Sequence, residues 1–302
     1  YKLSGITFEI VYVLAADATD IEEFNGNIYV ACGSGAAFVY GSDTTWTAST
    51  RTGTDDNADF FQRGMDTTGN PVLWRGFKPN TVSVSATPAN GGAAWTNYTV
   101  GESDAALTGV YYWNRTVVVG KTDGLYIFSY PFFYNVTSEK QAAPHADNFA
   151  HGQEFGGQLY LSGSQGTMWR FSLGLLEGPL PGYQMEGYEY GPGGKIGSLA
   201  TDGSHLLIGT HRRNTSNTAW VLMTRDGSRV HTLLDLAAPD TTQWAVSTMD
   251  AHAEEIQNIT AMSTHDGRLY IAGTTTAGVS RINGILYTVP STSETPYRDT
   301  VA

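Results

Sequence analysis

The sequence predicts an all-β chain, and three observations carry that prediction. A turn followed by a short apolar strand that ends in glycine recurs along the chain, the composition favours strands and tight turns, and no stretch reads as a long helix. The clearest copy of the phrase is Asn114 to Ser129, NRTVVVGKTDGLYIFS. Val117 to Val119 form a β-branched run closed by Gly120, Asp123-Gly124 supplies a turn, and Leu125 to Phe128 resumes as a second apolar strand. Apolar runs joined through such a turn are a hairpin signature.

The phrase is written six times, ending at Gly33, Gly76, Gly120, Gly163, Gly209 and Gly273, with intervals of 43, 44, 43, 46 and 64 residues. A second apolar strand follows each glycine: Ala37 to Tyr40, Val82 to Val84, Leu125 to Phe128, Met168 to Phe171, Trp220 to Met223 and Ile285 to Tyr287. A polar-to-apolar segment that can serve as an innermost strand precedes each, as in Asn258 to Met262. Three or four strands per unit of about 43 residues is the size of a β-propeller blade. A lone meander leaves its faces exposed, so the units must pack face to face around an axis. The expectation is one domain over residues 1–302, a six-bladed β-propeller, with seven blades as the alternative.

That alternative comes from the 64-residue interval. It holds the turn Asp226-Gly227, a strand from Arg229 to Leu236, and a polar run from Pro239 to Glu255 that reads as an inserted loop or a degenerate seventh blade. A second irregular stretch, Gly174 to Gly194, is rich in Gly and Pro and carries Tyr183, Tyr188 and Tyr190. Such a stretch is no central strand. Loops that interrupt a rigid scaffold are where contacts are made, so these tyrosines are the candidate interaction residues. Ring closure is expected from Leu3 to Leu14 pairing with Ile285 to Val289, because an open ring leaves an unpaired edge.

Composition narrows the function classes. Of 302 residues, 41% are hydrophobic and only 15% charged, which suits a packed core and opposes disorder. A net charge of −12 opposes binding to nucleic-acid phosphates or anionic lipid. Cys32 is the only cysteine, so neither an intrachain disulfide nor a thiolate metal cluster is expected, and its apolar strand marks it as a small core residue. No apolar run is long enough to span a bilayer as a helix. The first residue is Tyr1 and not Met, so a leader has been removed or was not included.

Asp20, Asp59, Asp104, Asn148 and Asn258 fall at or just before the innermost strand of their units. In a propeller these positions gather near one channel mouth, where oxygens can hold a cation or hydrogen-bond a sugar. Asp and Asn also cap turns and bond neighbouring backbone routinely. Asp55 to Asp59, DDNAD, has the oxygen density of a calcium loop without the EF-hand glycine and terminal glutamate. The seven histidines are dispersed and lack a metalloprotease spacing. Asn97, Asn114, Asn135, Asn214 and Asn258 begin N-x-S/T sequons, which permit glycosylation without arguing for it. No nucleophile elbow, P-loop or dinucleotide fingerprint is present, and no cofactor or metal is expected.

Pro88 to Trp95, PANGGAAW, keeps the glycine and tryptophan of the Asp-box pattern S-x-D-x-G-x-T-W, with Asn90 in place of Asp, and Ser42 to Trp46 keeps Thr-Trp without the spacing. With phrases such as Lys121 to Tyr126, KTDGLY, the chain resembles the divergent sialidase-like propellers encoded among phage structural genes. The resemblance implies a noncatalytic structural or attachment protein, in a virion or outside the cell, with other virion proteins and a host surface glycan or receptor as partners. It also implies oligomers only within a larger assembly. A sialidase needs an arginine triad and a Tyr/Glu pair, and Arg51, Arg63, Arg75, Arg115 and Arg170 fill no such pattern. The alternative is a secreted sialidase-like glycan-active enzyme or lectin.

Overall fold

In a computed structural model, the described residues are 2–4, 7–9, 12–33, 36–42, 45–49, 57–77, 79–90, 95–137, 143–178, 195–211, 219–224, 231–235, 258–265, 268–274 and 280–286. They fall into two compact units, Tyr1–Ala146 and Asp147–Ala302.

The first unit holds three four-stranded meanders. These are β3 (Asp20–Phe24), β4 (Asn27–Ala31), β5 (Val39–Ser42) and β6 (Thr45–Ala48); β7 (Phe60–Met65), β8 (Pro71–Phe77), β9 (Thr81–Ser85) and β10 (Thr96–Thr99); and β11 (Leu107–Trp113), β12 (Thr116–Lys121), β13 (Gly124–Ser129) and β14 (Phe132–Asn135). Before them β1 (Lys2–Ser4) pairs with β2 (Thr7–Glu9). The stretch from Leu3 to Leu14 is therefore not one strand as expected, because its first half folds back on itself. Of its proposed partner, Ile285 and Leu286 lie in a strand and residues 287–289 lie outside the described residues.

The second unit holds β15 (Gly152–Phe155), β16 (Gln158–Ser162), β17 (Met168–Ser172) and β18 (Leu175–Glu177); β19 (Lys195–Thr201), β20 (Leu206–His211), β21 (Ala219–Thr224) and β22 (His231–Asp235); and a sheet of three, β23 (Asn258–His265), β24 (Arg268–Thr274) and β25 (Ser280–Leu286). Every pairing is antiparallel between strands consecutive in sequence. The expected innermost segment Asn258 to Met262 is indeed the first strand of its sheet. The run from Pro239 to Glu255 lies outside the described residues.

Local sequence explains the hairpins. The first and second strands of three sheets are joined by two-residue turns, Asn25-Gly26, Asn114-Arg115 and Gly156-Gly157, and all six residues have positive φ. That conformation matches the twist of the flanking strands and favours Asn and Gly. In the Asn114 to Ser129 phrase the second turn is Thr122-Asp123, with Gly124 already in β13.

The recurrent glycines sit differently from the strand ends expected of them. Gly76, Gly120, Gly209 and Gly273 lie inside second strands, whereas Gly33 and Gly163 lie just beyond them. A β-carbon on Gly76 would come within 2.7 Å of Val110 Cγ2 in β11, and one on Gly209 within 2.9 Å of Ile259 Cγ2 in β23. Both contacts run from the second strand of one sheet to the first strand of the next. Gly76 and Gly209 thus mark where neighbouring sheets press together, and a side chain there would force them apart.

Within each unit the first strands are neighbours: β3 beside β7 and β7 beside β11, then β15 beside β19 and β19 beside β23. Apolar clusters fill the space between sheets. One joins Phe24, Tyr29 and Phe38 to Phe61, Leu73 and Trp95; another joins Val72, Trp74 and Val82 to Leu107, Val110 and Val119; a third, in the second unit, joins Tyr160 and Met168 to Ile196, Leu206 and Ile208. Burial of these side chains, about 1.5–3 kcal/mol each, drives the sheets together.

Candidate functional site

Alternation along β3 puts Asp20 and Glu22 on one side of the strand and Ile21 and Glu23 on the other. The first side meets β7. Phe61 N–H donates to Asp20 Oδ2 at 2.8 Å, Arg63 N–H donates to Glu22 Oε2 at 3.1 Å, and Arg63 Nη1 donates to Glu23 Oε2 at 3.1 Å. Asp20 Oδ1 also accepts from Ile21 N–H at 2.8 Å. Burial pushes the Asp20 carboxyl up to about 6, with Glu22 adding to the rise, although the two amide bonds pull the other way. Burial, and then the charge of Asp20, also raises Tyr111 in β11 above the ordinary phenol range.

The other expected site residues are placed as follows. Asp59 is buried just before β7; its N–H donates to Gly76 O at 2.8 Å and its carbonyl accepts from Thr19 Oγ1 at 2.9 Å. Asp20 and Asp59 are therefore brought to the same seam between the first two sheets. Asp104 is exposed in the turn before β11. Asn148 is buried, and its Oδ1 accepts from Ser164 N–H at 3.1 Å. Asn258 opens β23 and is exposed. Among the described residues no three or more His, Cys, Asp or Glu side chains group to hold a metal ion. Tyr183, Tyr188 and Tyr190 lie outside the described residues, as do residues 55 and 56 of the acidic run.

A cation does stand near Asp104, and it belongs to the chain. Lys121 is fully buried; its ammonium donates to Val100 O at 2.8 Å and to Glu102 O at 2.6 Å, and lies 5.3 Å from the centre of the Tyr126 ring. Burial lowers its pKa, while Asp123, Asp104 and Glu102 raise it. The lysine does here what a structural cation does elsewhere, holding a loop by its carbonyl oxygens.

The Asp-box-like stretch is also structural. Pro88–Asn90 forms a single 3-10 turn, and Trp95 is buried, edge-on to Phe38 at 6.2 Å with the Arg75 guanidinium 4.5 Å from its ring centre. Arg75 is fully buried and donates to Ser83 Oγ at 3.3 Å. Cys32 is buried as expected, and burial raises its thiol pKa. His205 is buried, its Nδ1 3.1 Å from Asp202 Oδ2 in the β19–β20 turn.

Sequence reasoning placed β13 but missed β14 and the aromatic turn that joins them. Tyr130, Phe132 and Tyr134 are 68%, 62% and 55% exposed. Behind them Phe128 packs edge-on against Tyr98 at 4.9 Å and Trp74 at 5.2 Å, and against Phe133 at 5.0 Å. No Asp, Glu, Lys or Arg occurs from Gly124 to Thr137. The signal was present in SYPFFYN, an aromatic run too dense for an edge strand with no partner to meet.

No protein-family model matches the sequence, and no curated protein does. Solved structures do resemble its fold. The extracellular domain of BT4673 from B. thetaiotaomicron matches with a TM-score of 0.59 at 12% identity, over 91% of this chain and 34% of that one. The extracellular domain of BT3049 from the same organism gives 0.55 at 10%, over 88% and 33%. A chain of the mitotic checkpoint complex gives 0.55 at 10%, over 87% and 74%. The present chain thus spans about a third of the length of the two bacterial domains. Its structural neighbours are β-propellers, and at such identities the likeness is one of fold alone. The chain has an all-β fold of repeated antiparallel sheets that matches β-propellers.

Proposed function

We propose that this chain is a noncatalytic attachment or structural protein of a virus particle, of the phage sialidase-like kind, working by surface contact and engaging a host surface glycan. The reading includes a six-bladed ring whose N-terminal segment completes the last blade. One observation carries it: the uncharged aromatic hairpin of Tyr130, Phe132 and Tyr134, exposed yet held from behind by packed rings. Aromatic side chains with polar tips are common anchors at protein surfaces that bind, and a rigid backing lowers the entropy lost on binding. The test is a Tyr130→Ala/Phe132→Ala/Tyr134→Ala triple variant with an unchanged melting temperature. Loss of host-cell adsorption and of glycan-array signal supports the reading; normal values for both remove the hairpin from it, and absence of the chain from purified particles removes the virion assignment.

A secreted glycan-active enzyme is the second reading, favoured by Asp20, a carboxyl held near 6 with Tyr111 in its field. Turnover of a glycoside, abolished by Asp20→Asn, would establish it.

A further inference from the structure

The seam between the first two sheets is fastened by acids where the second unit uses hydroxyls. β7 ends its sheet, with β8 on one side only, and its amides at Phe61 and Arg63 go to carboxylates of β3 and not to a strand. At the seam between β19 and β23, Met262 N–H donates to Ser198 Oγ at 2.9 Å and Thr264 Oγ1 donates to Thr201 O at 2.6 Å. The same kind of joint is therefore made without charge elsewhere in this chain. A carboxylate at such a joint needs a reason beyond holding the sheets together.

We propose that Asp20 makes the β3–β7 seam a proton-responsive fastener, tighter in mild acid than at neutral pH. Protonation removes a desolvated negative charge but need not remove the bond to Phe61, because a carboxylic acid keeps a carbonyl acceptor and gains a donor. The neighbouring charge that favours the proton is Glu22, on the same side of β3. Glu22 and Glu23 stand on its own strand, Asp59 lies just before β7, and Tyr111 lies on β11. β4, the ladder partner of β3, sets Ala31 opposite Asp20 and brings no charge. Arg63 is the cation of β7, and its guanidinium is exposed and paired with Glu23.

The sign follows from linkage. The folded-state value near 6 lies above the ordinary 3.8, so the folded chain holds this proton more tightly than the unfolded one. Stability from Asp20 is therefore present in full below about 4 and is lost as pH rises through 6. This is the reverse of the salt-bridged carboxylate that causes acid unfolding.

The test uses the full chain and its Asp20→Asn variant, which removes the charge and keeps one acceptor, for Phe61 or for Ile21 but not for both. Melting temperature is measured from pH 7.5 to pH 4.5, and the Asp20 carboxyl is titrated by carbon-13 NMR. The expected result is a gap between variant and parent that moves in the variant's favour as pH rises from 4.5 to 7.5, and an Asp20 midpoint near 6. A gap independent of pH overturns the proposal, because the bond that Asn cannot accept shifts the two curves by the same amount at every pH. If the variant does not fold, the titration of the parent still decides, since a midpoint at or below the ordinary carboxylate value is incompatible with it.

Discussion

Lys121 Nζ lies 2.6 Å from the carbonyl oxygen of Glu102 and 2.8 Å from that of Val100, so a buried ammonium holds backbone and not a carboxylate. Lys121→Met keeps the apolar stem and removes the donors, leaving both carbonyls without this partner. The expected cost is about 1–3 kcal/mol, the range for a polar group left unsatisfied on burial. Urea denaturation with an unchanged m-value is the measurement, and an undiminished midpoint would show that water replaces the ammonium without loss.

Gly76→Ala and Gly209→Ala each place a methyl against the next sheet, near Val110 and Ile259. Each is expected to lower stability by about 1–3 kcal/mol through overpacking. If both variants melt with the parent, the recurrence of these glycines is compositional and does not mark sheet contacts.

Two aromatic truncations should separate core from surface. Trp95→Ala opens space between Phe38 and Arg75 and is expected to cost about 3–5 kcal/mol. Tyr134→Ala, at an exposed edge-strand position, should stay within about 0.5 kcal/mol. Comparable losses in the two would mean that the β13–β14 hairpin is covered in solution.

Acid should act on Asp66 in the direction opposite to Asp20. The Asn70 amide and the Thr68 hydroxyl, with smaller help from the Asn70 side chain and the Thr68 amide, hold the Asp66 carboxyl down at about 2. Its contribution to the β7–β8 turn is complete above the ordinary 3.8 and is lost as pH falls through 2. The stability difference between the parent and Asp66→Ala should therefore shrink between pH 4 and pH 2, and a constant difference would count against the bonded turn.

The sheets were legible because their signals are local. The glycine-ended phrase, its spacing, and turns such as Asn25-Gly26 depend on residues adjacent in sequence. The positions of Asp20, Asp59, Asn148 and Asn258 at or before first strands were readable for the same reason. What was hidden depends on three-dimensional neighbours. Gly76 looked like the end of a strand because the Val110 it must admit is 34 residues away. Lys121 looked like an ordinary turn-flanking lysine because nothing nearby in sequence shows that Val100 and Glu102 offer it carbonyls. The exposure of Tyr130, Phe132 and Tyr134 was hidden too, since it is decided by whether another sheet covers the face.

The seam at β3 and β7 also decides what the edge of β7 can accept. A terminal strand with bare amides is an invitation to any passing extended segment, which can dock and lengthen the sheet. Carboxylates already seated on Phe61 and Arg63 occupy those amides, and an incoming strand would have to displace two negative charges to reach them. The same residues that join two sheets therefore also guard the edge of one of them against an added strand.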